Sequence, residues 1–433
     1  MARSIRVAAL QLPAHDRNDF ERSLDSIVAA ASEASQRADL VVLPEGTFPS
    51  YVLGDARIDH AAIDGALDRL RKLAQASDAV VVVGAATRSD GGLRNSAIVI
   101  DADGSIAGHA DKLFLWHFDR LWFEPGDSIA PIATKAGKLG VLVCADGRIP
   151  TIARALVDQG AEMLVMPTAW VTTGRSAQTL ENVQADLLAR VRARENGVPF
   201  VAANKCGTEL NMVAYCGKSQ VIGADGAVLA MASQDRPQTL EATVVTGTGR
   251  PCRAAAGEYP QARAGWDRAP VRLAISPDPL PRDLDRRLAL LGDAYALAPH
   301  DAQRLAALDR AIPAASVGDD VVLDPAGLVP YRRAGYPLAV WTAEAQPAWI
   351  EPMARARALE LRMYLVVFDR TAERAFAVDP DGNAIAGTFD GYRLASFSLD
   401  PRRTIETTVA PETDVADALE RIAFLTRTES APA

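Results

Sequence analysis

The apolar positions in the first half of the chain follow two alternating rhythms. Short runs dense in Val, Ile, Leu and Ala, namely IRVAALQL (5–12), ADLVVLPEG (38–46) and AVVVVGAATR (79–88), predict strands. Between them, FERSLDSIVAAASEASQR (20–37) and the stretch near 59–77 carry apolar residues at helical spacing. RNSAIVIDADGSIAGHADK (94–112) reads as strand, Asp-Gly turn, strand. An aromatic-rich loop follows, then a strand within KLGVLVCADGRIP (138–150), a helix near 150–160 and the strand EMLVMPTAW (162–170). A helix over about 177–197, the strand PFVAANK (199–205) and a hairpin around GADGAVLA (223–230) complete the pattern. Regular α/β alternation interrupted by hairpins predicts sheets with both parallel and antiparallel pairs, covered by helices.

Periodicity fails over TGTGRPCRAAAGEYPQARAGWDR (246–268), where Gly, Pro, Ala and Arg accumulate. This stretch predicts a linker and divides the chain into residues 1–250, a connection over 251–268 and a second unit over 269–433. The second unit opens with VRLAISPDPLPRDLDRRLALLGDAYALA (271–298), a strand then a helix, as the first unit does. RARENGVPFVAANK (192–205) aligns without a gap to RALELRMYLVVFDR (357–370), and GADGAVLA (223–230) matches DPDGNAIA (379–386). Between these anchors the first unit has CGTELNMVAYCGKSQVI and the second only TAERAFAV. The pattern predicts an internal repeat whose second copy is trimmed.

Composition narrows the class. A chain of 433 residues suits two domains, and 49% apolar residues support a large core. The formal charge of −9 argues against nucleic acid or an anionic membrane as the main partner. The N-terminal MARSIRVAALQLPAHD reads as a first strand rather than a signal peptide, its apolar run being broken by Gln11 with no small-residue cleavage site after it. No window approaches the ~20 apolar residues of a membrane-spanning helix. Cys144, Cys206, Cys216 and Cys252 form no C-x-x-C pair, and with five scattered histidines they predict a reducing cytoplasm and no structural zinc. The tail TRTESAPA (426–433) has the composition of a disordered end.

Three residues carry candidate chemistry, each with a plainer alternative. Glu45, in LVVLPEGTF, is an exposed turn carboxylate or a general base at the rim of a sheet, where burial would raise its pKa. Lys112, in HADKLFLWHF, is a solvated cation or, among Leu113, Phe114, Leu115 and Trp116, a partly desolvated one able to hold an oxyanion and lower a thiol pKa. Cys144 is an inert buried thiol or a nucleophile at a strand end, where the Ala145 N–H is free to bind an oxyanion.

Taken together and in order, these stretches are specific. LPEG, a lysine before an apolar-aromatic run ending in FEPGD (123–127), VCADGR, GAEMLVMPTAW (160–170), ARENGVPFVAAN (193–204) and GKSQVIGADG (217–226) resemble the nitrilase superfamily of carbon–nitrogen hydrolases across residues 5–245. The resemblance implies an α-β-β-α four-layer sandwich, here a tandem of one complete and one trimmed copy. It also implies a catalytic Glu45, Lys112 and Cys144. The supporting glutamate of many members corresponds to Asp119, one methylene shorter, with Glu124 too close to the Pro-Gly-Asp turn. Members that act on nitriles commonly follow the cysteine with Trp-Glu, so CADGR implies an amidase or carbamoyl hydrolase, with no metal or organic cofactor. Trp116, His117, Trp122 and Trp170 are candidate pocket walls for a small substrate, and Met212 and Tyr215 candidate contacts from the loop that the second unit lacks.

The second unit has neither cysteine nor lysine after Cys252, so it cannot assemble a set of its own. DDVVLDPAGLVPYRRAGYPLAVWTAEA (319–345) reads as a worn Cys144 strand and its sequel, with an apolar or acidic residue at the thiol position. The expectation is a non-catalytic unit filling the partner's place in an intramolecular pseudo-dimer, with further homo-oligomerisation open. A nitrile-hydrolysing or acyl-transferring relative, and a non-catalytic scaffold, are the competing readings.

Overall fold

Strand β1 (Ser4–Pro13) is buried along most of its length, which its continuous apolar run requires of a strand covered on both faces. A computed structural model gives the fold and describes residues 2–54, 58–176, 178–249, 266, 268–281, 283–284, 286, 288 and 295–428. Contacts divide the chain into two compact units. The first comprises Met1–Pro251 with Ala410–Thr413 and the chain from Asp417 onward, and the second Cys252–Val409 with Asp414–Ala416. The sequence division therefore needs a correction: the last helix, assigned above to the second unit, packs with the first.

In the first unit, β1 pairs in parallel with β2 (Leu40–Val42), and β2 with β3 (Val80–Arg88). Strands β4 (Leu93–Ile100) and β5 (Ile106–Asp111) extend this sheet as antiparallel neighbours. The second sheet contains β6 (Ile132–Thr134), β7 (Gly137–Val141), β8 (Met163–Pro167) and β9 (Phe200–Ala203), with β7, β8 and β9 parallel. On the other flank of β1, β10 (Lys205–Glu209) and β11 (Val213–Cys216) belong to the first sheet. Strands β12 (Gln220–Ile222) and β13 (Val228–Met231) complete the second sheet, and β14 (Gln238–Val245) runs antiparallel to β1. The two sheets pack through β1 and β2 against β8, β9 and β12.

Helices α1 (Phe20–Ser35) and α2 (His60–Ser77) cover the first sheet, and α3 (Pro150–Asp158) and α4 (Ala189–Asn196) the second, giving the α-β-β-α layers. In α2, Asp59 caps the N-terminus by accepting from Ala62 N, and Ile63, Ala66, Leu67, Leu70 and Ala74 form the buried stripe. The helix expected over 177–197 is shorter than its pattern: one π turn, Gln184–Leu188, leads into α4.

Among the described residues the second unit holds a three-stranded and a five-stranded sheet. Strand β15 (Val271–Ile275) pairs in parallel with β16 (Tyr295–Leu297) and antiparallel with β22 (Ala395–Leu399). Strands β17 (Ala314–Val317), β18 (Leu338–Ala343) and β19 (Tyr364–Asp369) are parallel, followed by antiparallel β20 (Arg374–Val378) and β21 (Ala384–Gly387). That succession matches β7, β8, β9, β12 and β13, and the last pair carries a register shift in both units, at Val221/Ile222 and Ala377/Val378. The linker over 251–265 lies outside the described residues. The tail expected to be disordered is helical to Thr428, and 429–433 lie outside the described residues. Among the described residues no helix is long and apolar enough to cross a membrane.

Candidate active site

Glu45 stands just past the end of β2, in a turn made by Pro44, Glu45 and Gly46. Gly84 of β3 lies against it so closely that a Cβ there would fall 2.5 Å from the Glu45 Cα. The Glu45 carboxylate is fully buried. Its Oε1 accepts from Asn95 Nδ2 at 2.7 Å and from Lys112 Nζ at 2.7 Å. Its Oε2 is buried with no hydrogen-bond partner among the described residues.

Lys112 leaves the end of β5 and is also fully buried. Its Nζ touches Asp119 Oδ2 at 2.6 Å as well as Glu45. Asp119 sits in a 3-10 turn, His117–Leu121, where Oδ1 accepts from the Tyr51 hydroxyl at 3.0 Å and Oδ2 from Trp116 N at 2.8 Å. The aspartate side chain is thus long enough to reach Lys112. Burial alone would lower the Lys112 pKa, but Asp119, Glu45 and Cys144 hold it well above the ordinary lysine value. Lys112 thus stays a cation between two carboxylates, in a site where water does not screen it.

Cys144 opens the 3-10 turn Cys144–Arg148 beyond β7, with φ at 46°, in the left-handed region that L side chains rarely adopt. Asp146 pins this turn. Its Oδ2 accepts from Val143 N at 3.0 Å, and its Oδ1 from Leu113 N at 3.0 Å and Phe114 N at 2.8 Å. One carboxylate thereby ties the cysteine turn to the residues that follow Lys112. Burial pushes Asp146 up to about 7, against the pull of those hydrogen bonds and of Lys112. Burial and the Glu45 charge raise the Cys144 thiol, while Lys112, Thr168 and the Ala169 backbone oppose them without prevailing. The lowered thiol pKa expected from a neighbouring lysine is not the net result.

The sequence profile of the carbon-nitrogen hydrolase family matches residues 6–254. The chain belongs to that family. This hydrolase is 34% identical over 239 residues to a Pseudomonas protegens protein described as a hydrolase in the pqqF 5' region, covering 54% of this chain and 80% of the relative. It is 28% identical over 262 residues to an N-carbamoylputrescine amidase of Arabidopsis thaliana, covering 55% and 86%. The solved amidase of Nesterenkonia sp. superposes with a TM-score of 0.50 at 28% identity, covering 55% of this chain and 89% of that one. A structure of a glutamate-to-glutamine mutant of the amidase from Nesterenkonia sp. AN1, with a TM-score of 0.50, 27% identity and coverage of 55% and 89%, shows the acetamide moiety of fluoroacetamide added covalently at its active-site cysteine. Family membership and these amidases make the chain a carbon–nitrogen hydrolase acting on amides.

The other expected pocket residues separate into groups. Trp116 stays beside the site, its N–H bound to Asp119. Trp170, on the segment after β8, is buried with its indole N–H unpartnered among the described residues. Ala145 is buried beside Cys144. The His117 side chain faces solvent, while its backbone N–H is bound by Thr413 Oγ1 at 2.8 Å. Met212 is 81% exposed at the turn between β10 and β11, so it supplies no buried wall. Tyr215 lies one shell back: its hydroxyl donates to Glu209 at 2.7 Å and its ring packs 6.4 Å from Tyr51. Trp122 packs edge-on against Phe118 and Phe123. Glu124 is engaged with Ser89, away from Lys112.

Three residues that hold this cluster were not expected from the sequence: Asn95, Tyr51 and Asp146. Asp146 stands within CADGR, where the turn chemistry of an aspartate two residues after the cysteine was an available signal. Asn95 and Tyr51 reach the site only through pairing between distant strands and loops.

Proposed function

We propose that the hydrolase cleaves a non-peptide C–N bond of a small amide or N-carbamoyl compound through a thioester on Cys144. Glu45 takes the thiol proton and the sulfur attacks the carbonyl carbon. Lys112 Nζ and a main-chain N–H, that of Ala145 in this reading, receive the negative charge on oxygen, each such donor contributing about 3–4 kcal/mol. The C–N bond then breaks as the leaving nitrogen takes the proton from Glu45. Water gives a proton to the same carboxylate, its oxygen attacks the thioester, and the sulfur leaves and recovers a proton. Asp119 positions Lys112.

The observation that carries this reading is the division of labour at Glu45. One oxygen is fixed by Asn95 and Lys112, and the other is unpartnered. A thiol pushed up by burial needs such a base. The covalent adduct on the cysteine of the glutamate-to-glutamine mutant of the Nesterenkonia sp. AN1 amidase supports the cysteine as nucleophile, and the N-carbamoyl substrate named for the Arabidopsis relative supports the substrate class. Intact-mass detection of an acyl adduct on Cys144 during incubation with amides, carbamoyl amines and nitriles tests it and reports the acyl group. Cys144→Ala is expected to abolish both adduct and turnover. Unchanged turnover would refute the assignment.

The second unit, in this reading, is a trimmed, non-catalytic copy. Its support is the matching strand succession and a repeated arginine pattern. Arg190 and Arg192 bond the carbonyls of Gly226 and Gly147, and Arg192 pairs with Glu195. Arg355 and Arg357 bond those of Gly382 and Val322, and Arg357 pairs with Glu360. Counting back three residues from Gly147 and from Val322 sets Asp319 at the position of Cys144, so the copy lacks a nucleophile. A pseudo-dimer within one chain is the corresponding proposal, tested by whether the full chain runs at single-copy mass. A reducing cytoplasm is the matching compartment, with Cys144, Cys206 and Cys216 all unpaired.

A further inference from the structure

Glu209, at the end of β10, is a fully buried carboxylate that the reaction above does not use. Its Oε2 accepts from Lys205 Nζ at 3.1 Å and from the Tyr215 hydroxyl at 2.7 Å. These partners lie on β10 and β11, so the charge is balanced within one pair of strands, as a buried carboxylate requires. Its Oε1 does something else. It accepts from Val52 N at 2.6 Å, reaching 157 residues back to the loop that follows Glu45.

The residue before Val52 is Tyr51, and Tyr51 belongs to the site. Its ring centroid lies 5.6 Å from Lys112 Nζ, and its hydroxyl donates to Asp119 Oδ1 at 3.0 Å. Asp119 holds Lys112 through the other oxygen at 2.6 Å. A continuous set of contacts therefore runs from Glu209 through one peptide N–H to Tyr51, Asp119 and Lys112. A charge-assisted bond fixes a backbone N–H more firmly than a neutral one. Packing reinforces it, with the Tyr51 and Tyr215 rings edge-on at 6.4 Å. Burial and the neighbouring carboxylates hold both tyrosine hydroxyls well above the ordinary tyrosine pKa, so both stay donors.

We propose that Glu209 is a positioning residue: through Val52 N it fixes Tyr51, and through Tyr51 and Asp119 it sets where the Lys112 ammonium stands. This inference rests on the reading of Lys112 as the cation that receives the oxyanion. Such a donor works at about 2.7–3.1 Å from the charged oxygen, and a misplacement of about 1 Å can cost about a hundredfold in rate. The charge develops only in the transition state, so the loss falls on kcat rather than KM.

The test uses the full-length protein with the ion pair removed as a unit, so that no buried charge is stranded. Lys205→Met with Glu209→Gln keeps an acceptor for Val52 N, and Lys205→Met with Glu209→Met does not. The first is expected to hold kcat for amide turnover within about threefold of wild type, and the second to lose about tenfold or more with KM little changed. Tyr51→Phe is expected to lose as much, and in its background the Gln and Met versions should differ by less than about threefold. Rates are taken per site that forms an acyl adduct on Cys144, because a role confined to folding lowers the number of sites and not their kcat.

A second measurement needs no turnover. Glu45 raises the Cys144 thiol pKa and Lys112 lowers it, so a displaced Lys112 moves alkylation of Cys144 by iodoacetamide to higher pH. That move is expected in the Met version and in Tyr51→Phe, and not in the Gln version. Equal kcat for the Gln and Met versions, losses that multiply with Tyr51→Phe, or unmoved alkylation profiles overturn the proposal. If the Met version does not fold, Tyr51→Phe with wild-type kcat and alkylation overturns it alone. A wild type that forms no acyl adduct with any amide sinks the hydrolytic reading instead, and the alkylation profiles then judge Glu209.

Discussion

Cys144 keeps its proton at neutral pH because burial and the Glu45 charge outweigh Lys112. With the thiol pKa raised, the thiolate fraction at pH 7 is below that of free cysteine. Alkylation of the resting enzyme by iodoacetamide should therefore climb with pH and show no plateau near the usual value of about 8.5, as mass spectrometry of the Cys144 peptide would reveal. In the proposed reading Lys112 supports the fold as well as the chemistry. Lys112→Met strands two buried carboxylates and is expected to cost about 3–5 kcal/mol in denaturant melts besides abolishing turnover. At this scale the sequence was informative where a residue's neighbours in the chain are also its neighbours in space, as for Glu45 in LPEG and Cys144 in VCADGR. It was silent on Asn95 and Tyr51, which stand 50 residues from Glu45 and 68 from Asp119 and meet them only through tertiary pairing.

The turn Cys144–Arg148 owes its shape to Asp146, which satisfies backbone donors on both sides of the site. Asp146→Ala leaves three buried N–H groups without an acceptor. At about 1–3 kcal/mol for each, the variant should lose at least ~3 kcal/mol of stability, read as a lower denaturation midpoint, and lose activity even where it still folds. Strands such as β3 and β8 were legible because burial on both faces demands an unbroken apolar run, and α2 because its stripe and Asp59 cap agree. The helix over 177–197 was over-extended. Its polar opening has no regular apolar face, and Asn182 there is bound to Val171 O, Gln184 N and, through its own N–H, Asp186. The left-handed backbone at Cys144 left no trace in the sequence, since residue type predicts such φ values mainly for Gly and Asn.

At the scale of the whole molecule, the catalytic unit is assembled from both ends of the sequence. Thr413 accepts from His117 N, and Arg421, in the helix Val415–Thr428, bonds the carbonyls of Leu113, Pro125 and Gly126. These contacts bracket the loop that carries Trp116 and Asp119. A chain ending at residue 409 should therefore retain Glu45, Lys112 and Cys144 yet fall at least tenfold in kcat, and Arg421→Ala should lower kcat in the same direction, both measured as ammonia release. The proposed repeat draws on the sequence similarity of 192–205 and 357–370, whereas the return of the last helix was not legible, since nothing local marks where a helix docks. The arrangement also sets an order of events during synthesis. The Gly126 carbonyl leaves the ribosome 295 residues ahead of the arginine that binds it, an interval of about 15–60 s at ~5–20 residues per second. A nascent polypeptide thus carries every group of the proposed reaction long before it carries the brace, and a message broken shortly before residue 421 yields a protein with those groups present and its loop unsecured.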